Sequence, residues 1–377
     1  EPHPRSIRGH GELLRSVAAV DFDRVGPRAT FVQVGVVAGI PDHAVASGWT
    51  NLFLEIERHA PGYRPGPAPR ALAHLGLAAY EACVPGMPAY NSLANLFPGL
   101  NLPAADGEEY YWPEVVNASY GYLIPRFFPD ASADLKQKMA TLEGANDAEF
   151  GAQTTPEIFA RSKKRGQDVA AAIWEWSTTD SYGHDAYKDV FGDYDWQAHY
   201  TGVGKWVPTT PGPGKGMFPY WGKVRTFALP ESEKISRPPM PYSEATNSAM
   251  YAQAIEVYAQ NTPTFSYEAE WVSEFWSDDL VDLTFSPPSR WAAIATQVLD
   301  LEHSDLETAL ETYAKVGMAI NDAGVGCWNS KYYYNVERPQ TYIRRLIDPN
   351  WNTNLENPMT GENSLTPSFP AYPSGHA

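Results

Sequence analysis

The chain has 377 residues, enough for a large core in one or two domains, and 43% hydrophobic against 19% charged content excludes general disorder. A formal net charge of −17 sets the long-range field against DNA, RNA and anionic membrane, leaving room only for a small anion in a local basic pocket. Cys83 and Cys327 are too few for a disulfide framework and sit in apolar, helix-like segments, so two buried thiols are expected.

The opening segment, EPHPRSIRGH, lacks a hydrophobic signal core. The longest apolar run, residues 29–40, is about half of the ~20 residues that a helix needs to cross a bilayer, so no membrane span is expected. Helical periodicity recurs over 69–84, 134–150, 157–177, 242–260 and 288–302, whereas alternating strand patterns are scarce; GKVRTFAL at 222–229 is the best of them. The expected fold is a single, mostly α domain over 1–377. Within it, residues 181–240 are rich in Gly, Pro and aromatics and read as a long irregular excursion between helices, packed rather than a flexible linker because of those aromatics. Asn117-Ala-Ser119 is a sequon that matters only in a glycosylating compartment. Many aromatics and 33 prolines point to ordered loops and an extracytoplasmic or secreted protein.

The most informative helix begins near Ser304, which with Glu307 makes a capping box. Leu306, Leu310, Tyr313, Gly317, Ile320, Gly324 and Cys327 follow as one stripe, with glycines where another helix can press close. The next position on that stripe is Lys331. A lysine on a core-facing edge is costly unless an anion meets it; the other reading has the helix frayed by Asn329 and Lys331 reaching out to water. Seven positions on stands Arg338, before Pro339. Two helical turns would set both cations on one face, while Pro339 disfavours helix at Arg338 and marks a turn; either way the cations converge. The segment Pro373-Ser374-Gly375-His376 adds a hydroxyl, a backbone open to close approach and a proton carrier.

K-x6-R-P followed by P-S-G-H resembles the first two of three signature motifs of the superfamily of vanadium-dependent haloperoxidases and type 2 phosphatidic acid phosphatases. PRALAHLGLAAYEACV, SKKRGQDVAAAIWEWSTTD, GKWVPTTP, WGKVRTFAL, EFWSDD and NDAGVGCWNSKYYYNVERP are similar to its soluble bacterial haloperoxidase-like branch, so the likeness covers most of the chain. It implies a helical-bundle core with long loops and a bound vanadate or phosphate, a tetrahedral oxyanion that needs cations and donors around it. By resemblance Lys331 and Arg338 neutralise the oxyanion, Ser374 and the Gly375 amide donate to it, and His376 is the acid/base group. Trp328 and Phe369 match apolar positions on the halide side of the site, against the alternative of ordinary core packing.

The third motif, S-R-x5-H, supplies a second arginine and the histidine that ligates vanadium or attacks phosphorus. It does not follow P-S-G-H within residues 1–377; Ser289-Arg290 is followed by Thr296 at the required spacing, and PPSRWAAIATQ reads as a helix start. The resemblance therefore implies that the last part of the bundle lies beyond Ala377, comes from a second polypeptide, or is lacking in a structural subunit that keeps the fold. The leading expectation is halide oxidation with hydrogen peroxide, with an acid phosphatase of the same superfamily, acting on a phosphomonoester, and a non-catalytic structural or assembly subunit as alternatives and homo-oligomerisation left open. His184, Asp185, Asp189, Asp193 and Asp195 offer oxygen ligands for a structural calcium, against a solvated acidic loop. Asp322 is expected to pair with a site cation or to form an interhelical salt bridge, while His74 and His303 read as structural.

Overall fold

A computed structural model describes residues 43–209, 214–260, 266–276, 282, 284–357 and 360–376. The opening segment, the apolar run at 29–40, the end of GKWVPTTP, the acidic end of EFWSDD and Ala377 lie outside the described residues. The fold is mostly α. Its helices are α1 (Ala44–Arg58), α2 (Pro67–Cys83), α3 (Trp112–Phe127), α4 (Ala133–Gly151), α5 (Pro156–Thr178), the short α6 (Trp196–His199), α7 (Ala249–Gln260), α8 (Tyr267–Phe275), α9 (Pro287–Leu301), α10 (Leu306–Tyr334) and α11 (Pro339–Leu346). One two-residue antiparallel ladder, β1 (Glu356–Asn357) with β2 (Glu362–Asn363), is the sheet among the described residues. No described helix is long and apolar enough to cross a membrane.

α2 is the axle of the bundle, and all of its residues are buried. A helix buried all round belongs at the centre of a core, and its Arg70, His74 and Glu81 side chains find partners there. Arg70 Nε pairs with Asp180 at 3.1 Å, Glu81 accepts from the Leu93 amide and from Ser92, and His74 Nδ1 donates to the Arg70 carbonyl. α10 lies along α2 at backbone distance. A Cβ on Gly76 would come within 2.6 Å of the Tyr313 carbonyl oxygen, and one on Gly317 within 2.8 Å of that of Leu72, so glycine at both positions sets the crossing.

Helices at 67–83, 133–151, 156–178 and 287–301 coincide with the periodic segments. α1 and α3 lie outside those segments, and most of their residues are buried. The segment 222–229 is not a strand. It opens with a single 3-10 turn, Trp221–Lys223, and bends at 227–229, so that three successive amides meet one buried side chain on α10. Among its described residues the 181–240 excursion carries only short helical turns, and it is packed: Phe218, Trp221 and Val224 join Val325 and Trp328 of α10 in a second small core.

α10 also corrects its own expected start and stripe. Asp305, not Ser304, caps it, its carboxylate accepting the Thr308 amide at 2.8 Å, because the Ser304 amide is already used on the Leu299 carbonyl in the tight turn from α9. The buried face passes from Gly317 through Met318, Asn321, Asp322, Val325 and Trp328 to Lys331, leaving Gly324 with open space around it. Both thiols are free, Cys83 buried and Cys327 half-buried.

Candidate active site

The site is built on the last turns of α10. The helix does not fray at Asn329; it runs to Tyr334 and ends at Asn335, whose left-handed backbone (φ 52°) turns the chain while its amide bonds to the Lys331 carbonyl at 2.9 Å. Lys331 is therefore held inside, 1% exposed, and does not reach out to water. Its ammonium donates to the carbonyls of Pro370 at 3.0 Å, Ala371 at 3.3 Å and Pro373 at 2.5 Å. No carboxylate faces it among the described residues. Burial, with the Arg338 charge adding to it, pulls its pKa down from 10.5 to about 8.

Arg338 stands just past the turn, extended (φ −79°, ψ 151°) as a residue before proline must be, and immediately ahead of α11. Its Nη1 donates to the Phe369 carbonyl at 2.9 Å. The Phe369 ring then joins both cations: the Lys331 ammonium is 4.8 Å and the Arg338 guanidinium 5.2 Å from its centroid. Trp328, one turn before Lys331, lies 5.1 Å from the same ring and donates its indole N–H to the Met217 carbonyl. Glu337 and Arg345 brace the turn, the carboxylate accepting from Arg345 Nη2 at 2.9 Å.

Ser374, Gly375 and His376 lie at the rim and are exposed. The His376 amide donates to the Ser374 hydroxyl at 3.2 Å, and the imidazole stands 6.3 Å from the Trp276 ring. Gly375 passes Trp328 at ordinary contact distance. The structure thus gathers Lys331, Arg338, Trp328 and Phe369 in one half-buried cluster, with the P-S-G-H backbone tied to it through the Pro373 carbonyl and its three following residues outermost. A buried ammonium beside a guanidinium, bounded by apolar rings, favours an anion even in a chain of net charge −17.

Asp322 takes neither expected role. It is fully buried and accepts the amides of Phe227, Ala228 and Leu229 at 2.7–3.1 Å together with the Asn321 side-chain amide at 3.0 Å, so its charge is met by backbone dipoles instead of a cation. Burial raises its pKa and these donors oppose the rise.

The acidic loop is dispersed, not gathered around a calcium site. Asp185 pairs with Lys188, Asp189 accepts the Gly192 amide, Asp193 accepts from Tyr220 and Asp195 caps α6. Among the described residues no group of three His, Cys, Asp or Glu could hold a metal ion. His74 is enclosed by Phe127, Trp176 and Phe227, and burial drives its pKa well below the usual value, so it is a neutral core group. Asn117 of the sequon is fully buried and bonded to Trp49, a position closed to glycosylation in this fold. Sequence reasoning missed the segment Gly204–Thr209, whose motif was visible but whose contacts to the site join residues more than a hundred positions apart.

Three comparisons bear on this arrangement. Residues 311–377 match the family described as the VCPO second helical-bundle domain. The vanadium chloroperoxidase of Curvularia inaequalis is 30% identical over 183 residues, covering 42% of this chain and 30% of the relative's length, so the chain spans less than a third of that protein. The crystal structure of the first bacterial vanadium-dependent iodoperoxidase superposes with a TM-score of 0.73 at 28% identity, over 88% of this chain and 77% of that one. A holo bacterial vanadium-dependent chloroperoxidase superposes with a TM-score of 0.55 at 14% identity, over 90% of this chain and 80% of the other, a likeness of fold alone.

Proposed function

The chain belongs to the vanadium haloperoxidase superfamily, and on that premise we propose that it oxidises halide with hydrogen peroxide at a vanadate held beside Lys331 and Arg338. The observation that carries this reading is the burial of Lys331: an ammonium 1% exposed, with no carboxylate facing it among the described residues. Such a charge is stabilised by an anion, and the donor chemistry nearby suits one with several oxygens.

In this reading the ammonium of Lys331 and the guanidinium of Arg338 bind and orient the oxyanion, and the Ser374 hydroxyl and Gly375 amide are the further donors. Gly375 suits that task because the absence of a side chain leaves its amide open to close approach. When bound, vanadate supplies Lewis-acid activation of peroxide toward halide attack. The imidazole of His376 takes and returns the proton at the rim, where solvent can renew it. Trp328 and Phe369 exclude water from the side on which the halide is received.

The test uses the full-length protein, with and without orthovanadate, given hydrogen peroxide and iodide, bromide or chloride, beside a phosphomonoester assay. Halide oxidation that requires orthovanadate is expected, and Lys331→Met should abolish it. Phosphomonoester turnover without any vanadate-dependent halide oxidation overturns the reading.

A further inference from the structure

The two halves of the site are distant in sequence, Lys331–Arg338 on one side and Phe369–His376 on the other, and most bonds between them are made by the cations themselves. Lys331 donates to Pro370, Ala371 and Pro373, and Arg338 donates to Phe369. Donors turned toward an oxyanion must leave some of these carbonyls, so binding weakens the links that hold the halves together. One direct backbone bond does not depend on the cations, from the Ala371 amide to the Val336 carbonyl at 3.0 Å. The remaining support has to come from a third piece of chain.

Gly204–Thr209 is one such piece, beside Met217, which links Trp328 to the Ser368 carbonyl. Lys205 and Val336 form an antiparallel bridge, in which the Trp206 amide donates to the Asn335 carbonyl and the Glu337 amide to the Gly204 carbonyl, each at 2.9 Å. The Lys205 ammonium donates to the Tyr334 carbonyl at 2.9 Å, one of the last carbonyls of α10 and the negative end of its dipole. Trp206 is fully buried against Tyr332, the neighbour of Lys331. Three residues on, the buried Thr209 hydroxyl donates to the carbonyls of Thr366 at 3.2 Å and Pro367 at 3.4 Å, the segment that leads into the other half. A Cβ on Gly204, whose φ is +87°, would run into the Tyr242 ring, so glycine is needed at this end of the segment.

We propose that Gly204–Thr209 is a positioning clamp of the oxyanion site, with Lys205 holding the Lys331–Arg338 half and Thr209 holding the segment that leads into the Phe369–His376 half. The inference rests on reading that site as one for an oxyanion. Because the clamp carries more of the load when the cations are engaged, its loss weakens oxyanion binding more than it weakens the fold.

Orthovanadate titrated into the full-length protein by calorimetry tests this, alongside melting temperatures. Lys205→Met and Thr209→Val are each expected to bind about tenfold more weakly, as loss of an outer support for a bound group commonly does. Lys205→Arg keeps the charge and donor and should bind within about twofold of the parent chain. Lys188→Met, which removes an equally charged side chain paired with Asp185 on the excursion, should not change binding. Parental affinity in both Lys205→Met and Thr209→Val, even with lowered melting temperatures, makes the segment scaffold only and overturns the clamp. An equal loss in Lys188→Met overturns it as well, since net charge would then be the cause. If Lys205→Met does not fold, Thr209→Val decides. Absence of orthovanadate binding by the parent chain overturns the functional reading itself and the clamp with it, an outcome distinct from the first two.

Discussion

The ammonium of Lys331 stands 4.8 Å from the ring centroid of Phe369, while the carbonyls of the residues that follow that ring, Pro370, Ala371 and Pro373, accept its hydrogen bonds. One lysine thus fixes the path of the loop that carries Ser374 and His376. Its charge has no acidic partner among the described residues, and this makes its protonation the most sensitive property of the site.

Sulfate, a tetrahedral anion whose charge is constant from pH 7 to 9, reports that protonation. With the Lys331 pKa at about 8, sulfate affinity should fall about tenfold between pH 7 and 9, and in Lys331→Gln it should be weak and flat across the range. The sign for stability is opposite. Between pH 8 and 10.5 the unfolded chain keeps a proton that the folded lysine has released, so this group's contribution becomes more favourable as pH rises through that window. Calorimetric titration at three pH values checks the first expectation; an affinity unchanged at pH 9 contradicts it.

Asp322→Ala should cost about 3–5 kcal/mol, because three consecutive loop amides and the Asn321 side chain lose a buried acceptor together. Denaturant unfolding measures the cost. Amide exchange locates it: protection at Phe227, Ala228 and Leu229 should drop more than in α2, and a uniform loss across both would argue against a local anchor.

The glycines of α10 should separate by sign. Gly317→Ala puts a methyl against the Leu72 carbonyl and is expected to destabilise by about 1–3 kcal/mol. Gly324→Ala meets open space and should stabilise by about 0.5–1 kcal/mol through helix propensity alone. Paired thermal melts decide the matter.

Glu114, buried between α3, α4 and α5 near Asp147 and Lys163, has its pKa raised to about 8, first by burial and then by the Asp147 charge. Its folded value lies above the usual 4.5, so the stability linked to its proton is fully present below pH 4.5 and is lost as pH rises through 8. Glu114→Gln should therefore be more stable than the parent chain at pH 8.5, by about 1–3 kcal/mol, and less dependent on pH between 5 and 8. Urea unfolding of both proteins at pH 5 and 8.5 gives the comparison, and an equal slope with pH in the two proteins counts against it.

The helical class, the position of four helices and the convergence of Lys331 with Arg338 follow from residue spacing, because an amphipathic helix writes its period into the chain and proline dictates the backbone before it. α1 and α3 lie outside the segments that periodicity marked, and the packing of their buried residues is what reveals them. Lys331 shows where spacing stops being decisive. Its stripe position allowed either burial or escape to water, and only the left-handed turn at Asn335 and the carbonyls of a loop some forty residues later keep it inside. Asp322 was legible as a charge near the site, yet its partners are amides of a segment whose pattern suggested a strand. Side-chain type and local period are properties of neighbours in the chain; the partner of a buried charge is chosen by whichever distant backbone packing brings within hydrogen-bonding distance.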